Sequence, residues 1–299
     1  MLFNVTTAQA LSLKASFDAL VYAHINESNL VVNKSGLTVT EIDPSHALVV
    51  RLLLEKQSFQ IFEVQEEVVV GISIKELARL FKNVSNKDTV TLCMDAQNPT
   101  QLQIVVYRDG DSCITHRLKT LLLPYEKIDI PFREVDRVIN MPSSDFARYI
   151  KEFSNNRFIE LHITKDHVFY IRVKTDLCTS EVEIQTRSTS TTTTTTTTKI
   201  VPKPSANGSV IGNTATTIGL GRNGNWDVRQ TFPTKFLTAI TKNSNIDEQI
   251  TLYMTKGQAL MARFNVSIIG TLVYILAPEE EDDDDDNDND DDMSSDDDE

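Results

Sequence analysis

Lys75, Arg79 and Lys82 stand at i, i+4 and i+7 in a stretch whose apolar residues, Ile74, Leu77, Leu80, Phe81 and Val84, recur with helical spacing. At 100° per residue the three cations fall within about 60° of one another, opposite the apolar stripe, and no acidic residue shares their line. Cations presented this way neutralise phosphates without reading bases. The arrangement recurs. Arg148 and Lys151 lie away from Phe146 and Ile150, Lys235 and Lys242 are seven apart, and Lys14 lies off the apolar stripe of an earlier segment. A solvated helix face is the ordinary fate of such charges. Basic residues on the outer face of every helix, in a chain so acidic elsewhere, point instead to a nucleic-acid surface. Its binding is expected to be salt-sensitive and independent of sequence.

Catalytic chemistry finds no comparable constellation. His24, His46, His116, His162 and His167 have neither HExxH nor HxH spacing, and Cys93, Cys113 and Cys178 make no CxxC. Residues 219–224 match GxGxxG, but they lie in a low-complexity stretch without the strand–turn–helix context of a nucleotide site. No GxSxG or Walker sequence occurs. The expectation is a protein that is not an enzyme, with no cofactor and no metal.

Four amphipathic helices must carry the basic residues. They are expected near residues 12–24, with Leu13, Phe17, Leu20, Val21 and His24 on one side, and near 74–84. The other two follow Pro142 and Pro233, each proline suiting a first helical turn. Stretches rich in Val, Ile, Leu and Thr read as strands at 29–32, 37–41, 48–54, 68–72, 89–93 and 103–107. Further strands are read at 158–163, 168–173, 180–185, 249–254, 260–266 and 271–276. Shifted by 160 residues, the segment 82–94 lands on 242–254 without a gap, with Lys82/Lys242, Asn83/Asn243, Thr91/Thr251, Leu92/Leu252 and Met94/Met254 coinciding. A helix–strands–helix–strands order therefore occurs twice, joined by residues 118–140 with Pro124 and Pro131. A second irregular stretch, 187–225, opens on an unbroken threonine run.

The formal charge of −14 is localised. Residues 279–299 hold 16 acids and no base, so the rest is close to neutral, and the tail is expected to be disordered and to repel DNA at low salt. No apolar run reaches the roughly 18 residues of a membrane helix, and the first ten residues lack the regions of a signal peptide. An intracellular protein without a membrane partner is expected.

Several segments resemble the proliferating cell nuclear antigen (PCNA) family of DNA sliding clamps. Ser35-Gly36-Leu37 through Ile42-Asp43-Pro44-Ser45-His46 resembles the run from the family's Ser-Gly turn to its Asp-Ser-Ser-His loop. Met141-Pro142-Ser143-Ser144-Asp145-Phe146-Ala147-Arg148 resembles its second-domain opening, and Leu276-Ala277-Pro278 followed by acids its C-terminus. Ile130-Pro131 lies ten residues before Met141, as in the family's connector. The resemblance implies an α+β fold of two similar domains, each of antiparallel sheets with two helices, assembling as a ring. The domains would be residues 1–117 and 141–278, with connector 118–140, insertion 187–225 and tail 279–299.

It also implies a homotrimer around duplex DNA, with channel candidates Lys14, Lys75, Arg79, Lys82, Lys119, Arg148, Lys151, Lys235 and Lys242. Edge-strand pairing would join 113–117 to 181–185 of a neighbour, through Cys113, Thr115 and Arg117 on one side and Val182 and Ile184 on the other. Partner peptides would dock on Ile42, His46, Val49, Ile128, Ile130, Pro131, Ala259, Ile275, Ala277 and Pro278. The implied partners are a DNA polymerase, a clamp loader and other proteins bearing clamp-binding peptides, at a nuclear or other site of replication. Lys165-Asp166 resembles the turn bearing the family's modifiable lysine. Two alternatives remain open on sequence: an acidic-tailed histone chaperone, and a subunit of a heterotrimeric checkpoint-type clamp.

Overall fold

The structure is a computed structural model that describes residues 1–108, 112–130, 135–185, 187–188, 216–220 and 227–279. The N-terminal half runs β1 (Phe3–Thr7), α1 (Ala10–Tyr22), β2 (Glu27–Asn33), β3 (Gly36–Ile42), β4 (Leu48–Glu55), β5 (Ile61–Val64), β6 (Val68–Ser73), α2 (Ile74–Leu80), β7 (Thr89–Asp95), β8 (Asn98–Tyr107) and β9 (Cys113–Lys119). The C-terminal half runs β10 (Arg137–Pro142), α3 (Ser143–Glu152), β11 (Phe158–Ile163), β12 (Val168–Lys174), β13 (Thr179–Gln185), β14 (Arg187–Ser188) and β15 (Thr217–Leu220). It closes with β16 (Val228–Pro233), α4 (Thr234–Thr241), β17 (Gln249–Met254), β18 (Leu260–Val266) and β19 (Gly270–Leu276).

The repeat is visible in the fold. The units β6–α2–β7 and β16–α4–β17 keep the 160-residue offset, since Val68, Ile74 and Thr89 correspond to Val228, Thr234 and Gln249. In β4, alternate residues Leu48, Val50, Leu52 and Leu54 are buried, the period-2 pattern of a sheet with one covered face. Three helices follow a strand with no loop between. Ser73 ends β6 and caps α2, its hydroxyl accepting the Glu76 amide at 3.3 Å. Pro142 and Pro233 are not in the first helical turn, as expected from sequence, but one residue earlier. Both are extended N-cap residues, with φ −58° and −63°, that still pair in their strands.

Helix ends differ from the sequence pattern for local reasons. α1 stops at Tyr22 because the Ile25 amide bonds to Leu20 O and the His24 amide to Val21 O, with His24 left-handed at φ 63°. That geometry turns His24 out of the apolar stripe, where periodicity had placed it, and into solvent. α2 ends at Leu80, so Lys82 sits in the turn that follows rather than on the helix itself.

Three sheets form. A five-stranded sheet, β5-β1-β7-β8-β9, belongs to the first half, and a four-stranded one, β13-β12-β11-β16, to the second. A ten-stranded sheet, β14-β15-β10-β17-β18-β19-β4-β3-β2-β6, is shared by both, its halves joined where β19 pairs with β4. Arg137–Pro142 and Thr217–Leu220 are strands here, whereas the sequence pattern reads both stretches as irregular. The connector between β9 and β10 is correspondingly narrower than 118–140. Helices pack in pairs, α1 with α2 and α3 with α4, and Phe17 stacks on Phe81 at 5.8 Å.

Candidate nucleic-acid interface and peptide groove

The helices lie on one side of the shared sheet. On β19, Tyr274 is fully buried and its hydroxyl contacts both Ala19 of α1 and Asn243 just after α4. Ile275, its neighbour, must point to the opposite face. Among the described residues, one side of this wall thus carries helices and the other bare sheet.

On the helix side, Lys75, Lys82, Lys151, Lys235 and Lys242 are exposed, and none has an ion pair among the described residues. The Lys235 ammonium lies over Phe236 at 4.4 Å and that of Lys242 over Tyr22 at 6.0 Å. Lys119 is also exposed, at the end of β9 rather than on a helix. The other three candidates are partly neutralised. Lys14 is half-buried against Asp18 at 3.0 Å, Arg79 pairs with Glu76 at 2.6 Å, and Arg148 with Asp145 at 3.2 Å. Glu76 therefore reaches the basic line of α2 that the sequence pattern shows free of acid. The signal was present as i, i+3 and i, i+4 pairs.

On the sheet side, cross-strand register assembles a row. Ile42 pairs with Val49, Val49 with Ile275, Ile275 with Met261, Met261 with Tyr253, and Tyr253 with Val138. All six are half-buried, whereas their inward neighbours Val50, Tyr274, Ala262, Leu252 and Ile139 are buried. Ala259 and Ala277 lie two residues from Met261 and Ile275, just beyond the start of β18 and the end of β19. Met261, Tyr253 and Val138 were missed from sequence because only register brings them into line.

The loop at residues 43–48, beside the row, is held by a residue that the candidate positions omitted. The Asp43 carboxylate accepts the amides of Ser45, Ala47 and Leu48 at 3.0, 2.8 and 2.7 Å, and the Ser45 hydroxyl besides. Burial pushes its pKa up, but these bonds outweigh that and hold it below the usual aspartate value. His46, exposed and left-handed at φ 56°, is fixed by its amide on Asp43 O at 2.9 Å. The signal was the short Asp-Pro-Ser turn.

The connector is tied to the sheet edge. Leu121 and Gly71 pair through a 2.8 Å bond, and the Asn29 amide donates to Pro124 O at 2.8 Å. A Cβ on Gly71 would lie 2.3 Å from Leu121 O, so only glycine permits this approach. Ile128, Ile130 and Pro278 are half-buried, and Pro131 lies outside the described residues.

Among the described residues β9 pairs only with β8 and β13 only with β12, so each leaves one edge open. Cys113, Thr115 and Arg117 are exposed on β9, while Val182 is half-buried and Ile184 buried on β13. Exposed Arg117 and Lys119 give β9 a basic edge, and exposed Glu181 and Glu183 give β13 an acidic one. A cavity of about 700 Å³, lined by Arg148, Tyr149, Phe153, Val173, Cys178 and Val182, opens beside β13.

Residues 2–127 match the family model described as proliferating cell nuclear antigen, N-terminal domain, and residues 213–279 match that of the C-terminal domain.

Proposed function

The chain belongs to the proliferating cell nuclear antigen family and has its sliding-clamp fold, and from that premise we propose that it encircles duplex DNA as a homotrimer and tethers replication and repair proteins to it. The observation that carries this reading is the set of five exposed, acid-free lysines on the helix side of a wall whose other side is bare sheet. Phosphates would meet Lys75, Lys82, Lys119, Lys151, Lys235 and Lys242 directly. Lys14, Arg79 and Arg148 would act after exchanging their intrahelical partners.

β9 of one subunit would extend the four-stranded sheet of the next through β13, closing two open edges and matching a basic edge to an acidic one. The cavity beside β13 offers the neighbour's Ile114, His116 and Leu118 somewhere to pack. Polymerase, loader and other clients would present a short apolar segment to Ile42, Val49, Ala259, Ile275, Ala277 and Pro278, under Ile128, Ile130 and Pro131. The family acts as a scaffold, and no catalytic role is assigned. Lys165, exposed in the turn after β11, stands where a modifying group would be accessible.

Two measurements test the proposal. Light scattering should give three chain masses. The assembled protein should remain on closed circular DNA and run off once the circle is cut. A monomer at every concentration would refute self-assembly, and equal retention on circular and linear DNA would refute encirclement.

A further inference from the structure

The chain leaves its last strand beside two cations. Glu279 is held by its amide on Thr231 O at 2.8 Å. With Arg157, Lys235, Ser45, Ser154 and Asn156 it lines a cavity of about 750 Å³. The Arg157 guanidinium lies over Phe158 at 4.8 Å and the Lys235 ammonium over Phe236 at 4.4 Å. Both cations are exposed, and neither has an ion pair among the described residues. α4 begins at the same cavity. Its N-cap Pro233 supplies no side-chain bond, so the positive end of the helix dipole adds to the field.

The segment beyond Glu279 carries the opposite charge. Residues 280–299, outside the described residues, hold 15 acids and no base. Twenty residues reach at most about 65 Å. Lys235 lies at its point of departure, and Lys242 follows seven residues on, as the C-cap of α4. Tethering gives such a segment an effective concentration on the order of millimolar, so weak ion pairs suffice.

We propose that this cavity, with the neighbouring lysines of α4, is the docking site of the chain's own acidic segment 280–299, which competes there with DNA phosphates. The docking stands on the geometry of the cavity; the competition rests on the clamp function proposed for the chain. Docking through exposed charges is screened within about 10 Å at 0.1 M salt, so the segment yields to duplex rather than blocking it.

Zero-length carbodiimide coupling of the full chain at low salt, mapped by mass spectrometry, tests the docking without DNA. Carboxylates of 280–299 should couple to Lys235 several times more than to Lys34 or Lys56, and Arg157→Gln should reduce that preference several-fold. Uniform coupling would overturn the site. Duplex titration then tests the competition. Deleting 280–299 should raise low-salt affinity about three- to tenfold, and the gain should fall below about twofold in Arg157→Gln. Equal gains in both backgrounds would mean long-range repulsion and would overturn docking. Preferential Lys235 coupling in a chain that binds no duplex at all would uphold the docking site and sink the clamp reading instead.

Discussion

The Asn243 side-chain amide donates to the Tyr274 hydroxyl over 2.7 Å, in a fully buried contact that ties the end of α4 to β19. The same hydroxyl lies 3.4 Å from Ala19 O of α1, so one phenol joins helices from both halves of the chain. The Asn243 amide also donates to Ala239 O and Ile240 O. Burial raises the phenol's pKa well above its ordinary value. Tyr274→Phe keeps the ring and removes only the hydroxyl. The expected loss is about 1 kcal/mol, read as a lower urea midpoint at unchanged slope. An unchanged midpoint would mean that the hydroxyl's bonds add nothing to the packing of the ring.

Asp43 ties the stability of its loop to pH. Its folded pKa lies below the unfolded value, so the protein form with the carboxylate is favoured at neutral pH. That stability is present above the ordinary aspartate pKa and is lost as pH falls through the depressed folded value. Asp43→Asn should lower stability by about 1–3 kcal/mol at pH 7 and flatten the loss on acidification below the ordinary aspartate pKa. Unfolding midpoints measured across that range in both proteins would decide it. Parallel curves would mean that the carboxylate's charge does not hold the loop.

Much of this fold can be read from periodicity, because each helix has a one-sided apolar stripe and β4 alternates cleanly. What could not be read is long-range. Phe3–Thr7 and Ile61–Val64 are short strands whose identity comes from pairing with each other and with β7. β10 ends in a proline, and its strand character depends on β15 and β17. The basic candidates were legible as types and spacings, but the neutralisation of Arg79 by Glu76 needed i, i+3 pairs to be weighed as well. Met261 and Tyr253 joined the apolar row only through register.

Charge reversal tests the subunit edges. Glu181 is already held by Arg172 at 2.6 Å, whereas among the described residues Glu183 has only the Tyr170 hydroxyl at 3.3 Å. Glu183 is therefore the acid freer to meet a neighbour's Arg117 or Lys119. Glu183→Arg should shift the light-scattering mass toward monomer by placing like charges across the pair. Adding Arg117→Glu should restore most of the assembly. A double variant no better than the single would show that these residues do not face each other.

The apolar row gives a graded expectation for client binding. Ile275 sits at its centre, flanked by Val49 and Met261. Ile275→Ser should weaken a synthetic peptide with an aromatic-anchored helical turn at least tenfold. Tyr253→Ser, two pairs away, should weaken it by less than threefold. The mean cost of removing a buried aliphatic anchor supports the first figure, at about 1.5–3 kcal/mol. Fluorescence anisotropy on both variants would check the gradient, and equal losses would place the peptide further along the sheet than proposed.

The free and paired cations should differ in how they carry salt dependence. Each phosphate contact contributes about 0.9 to the slope of log affinity against log salt. Lys75, Lys82 and Lys151 have no acidic partner among the described residues, so each change to Gln should reduce that slope by nearly this amount. Arg79 begins bonded to Glu76, and a cation that must leave one carboxylate to meet a phosphate releases less net counterion. Arg79→Gln should therefore reduce the slope by about half as much or less, while Glu76→Gln should raise low-salt affinity by freeing Arg79. Duplex titrations between about 50 and 200 mM salt on these variants measure the difference. A slope change for Arg79→Gln as large as for Lys82→Gln would mean that the intrahelical pair dissolves at no cost when DNA arrives.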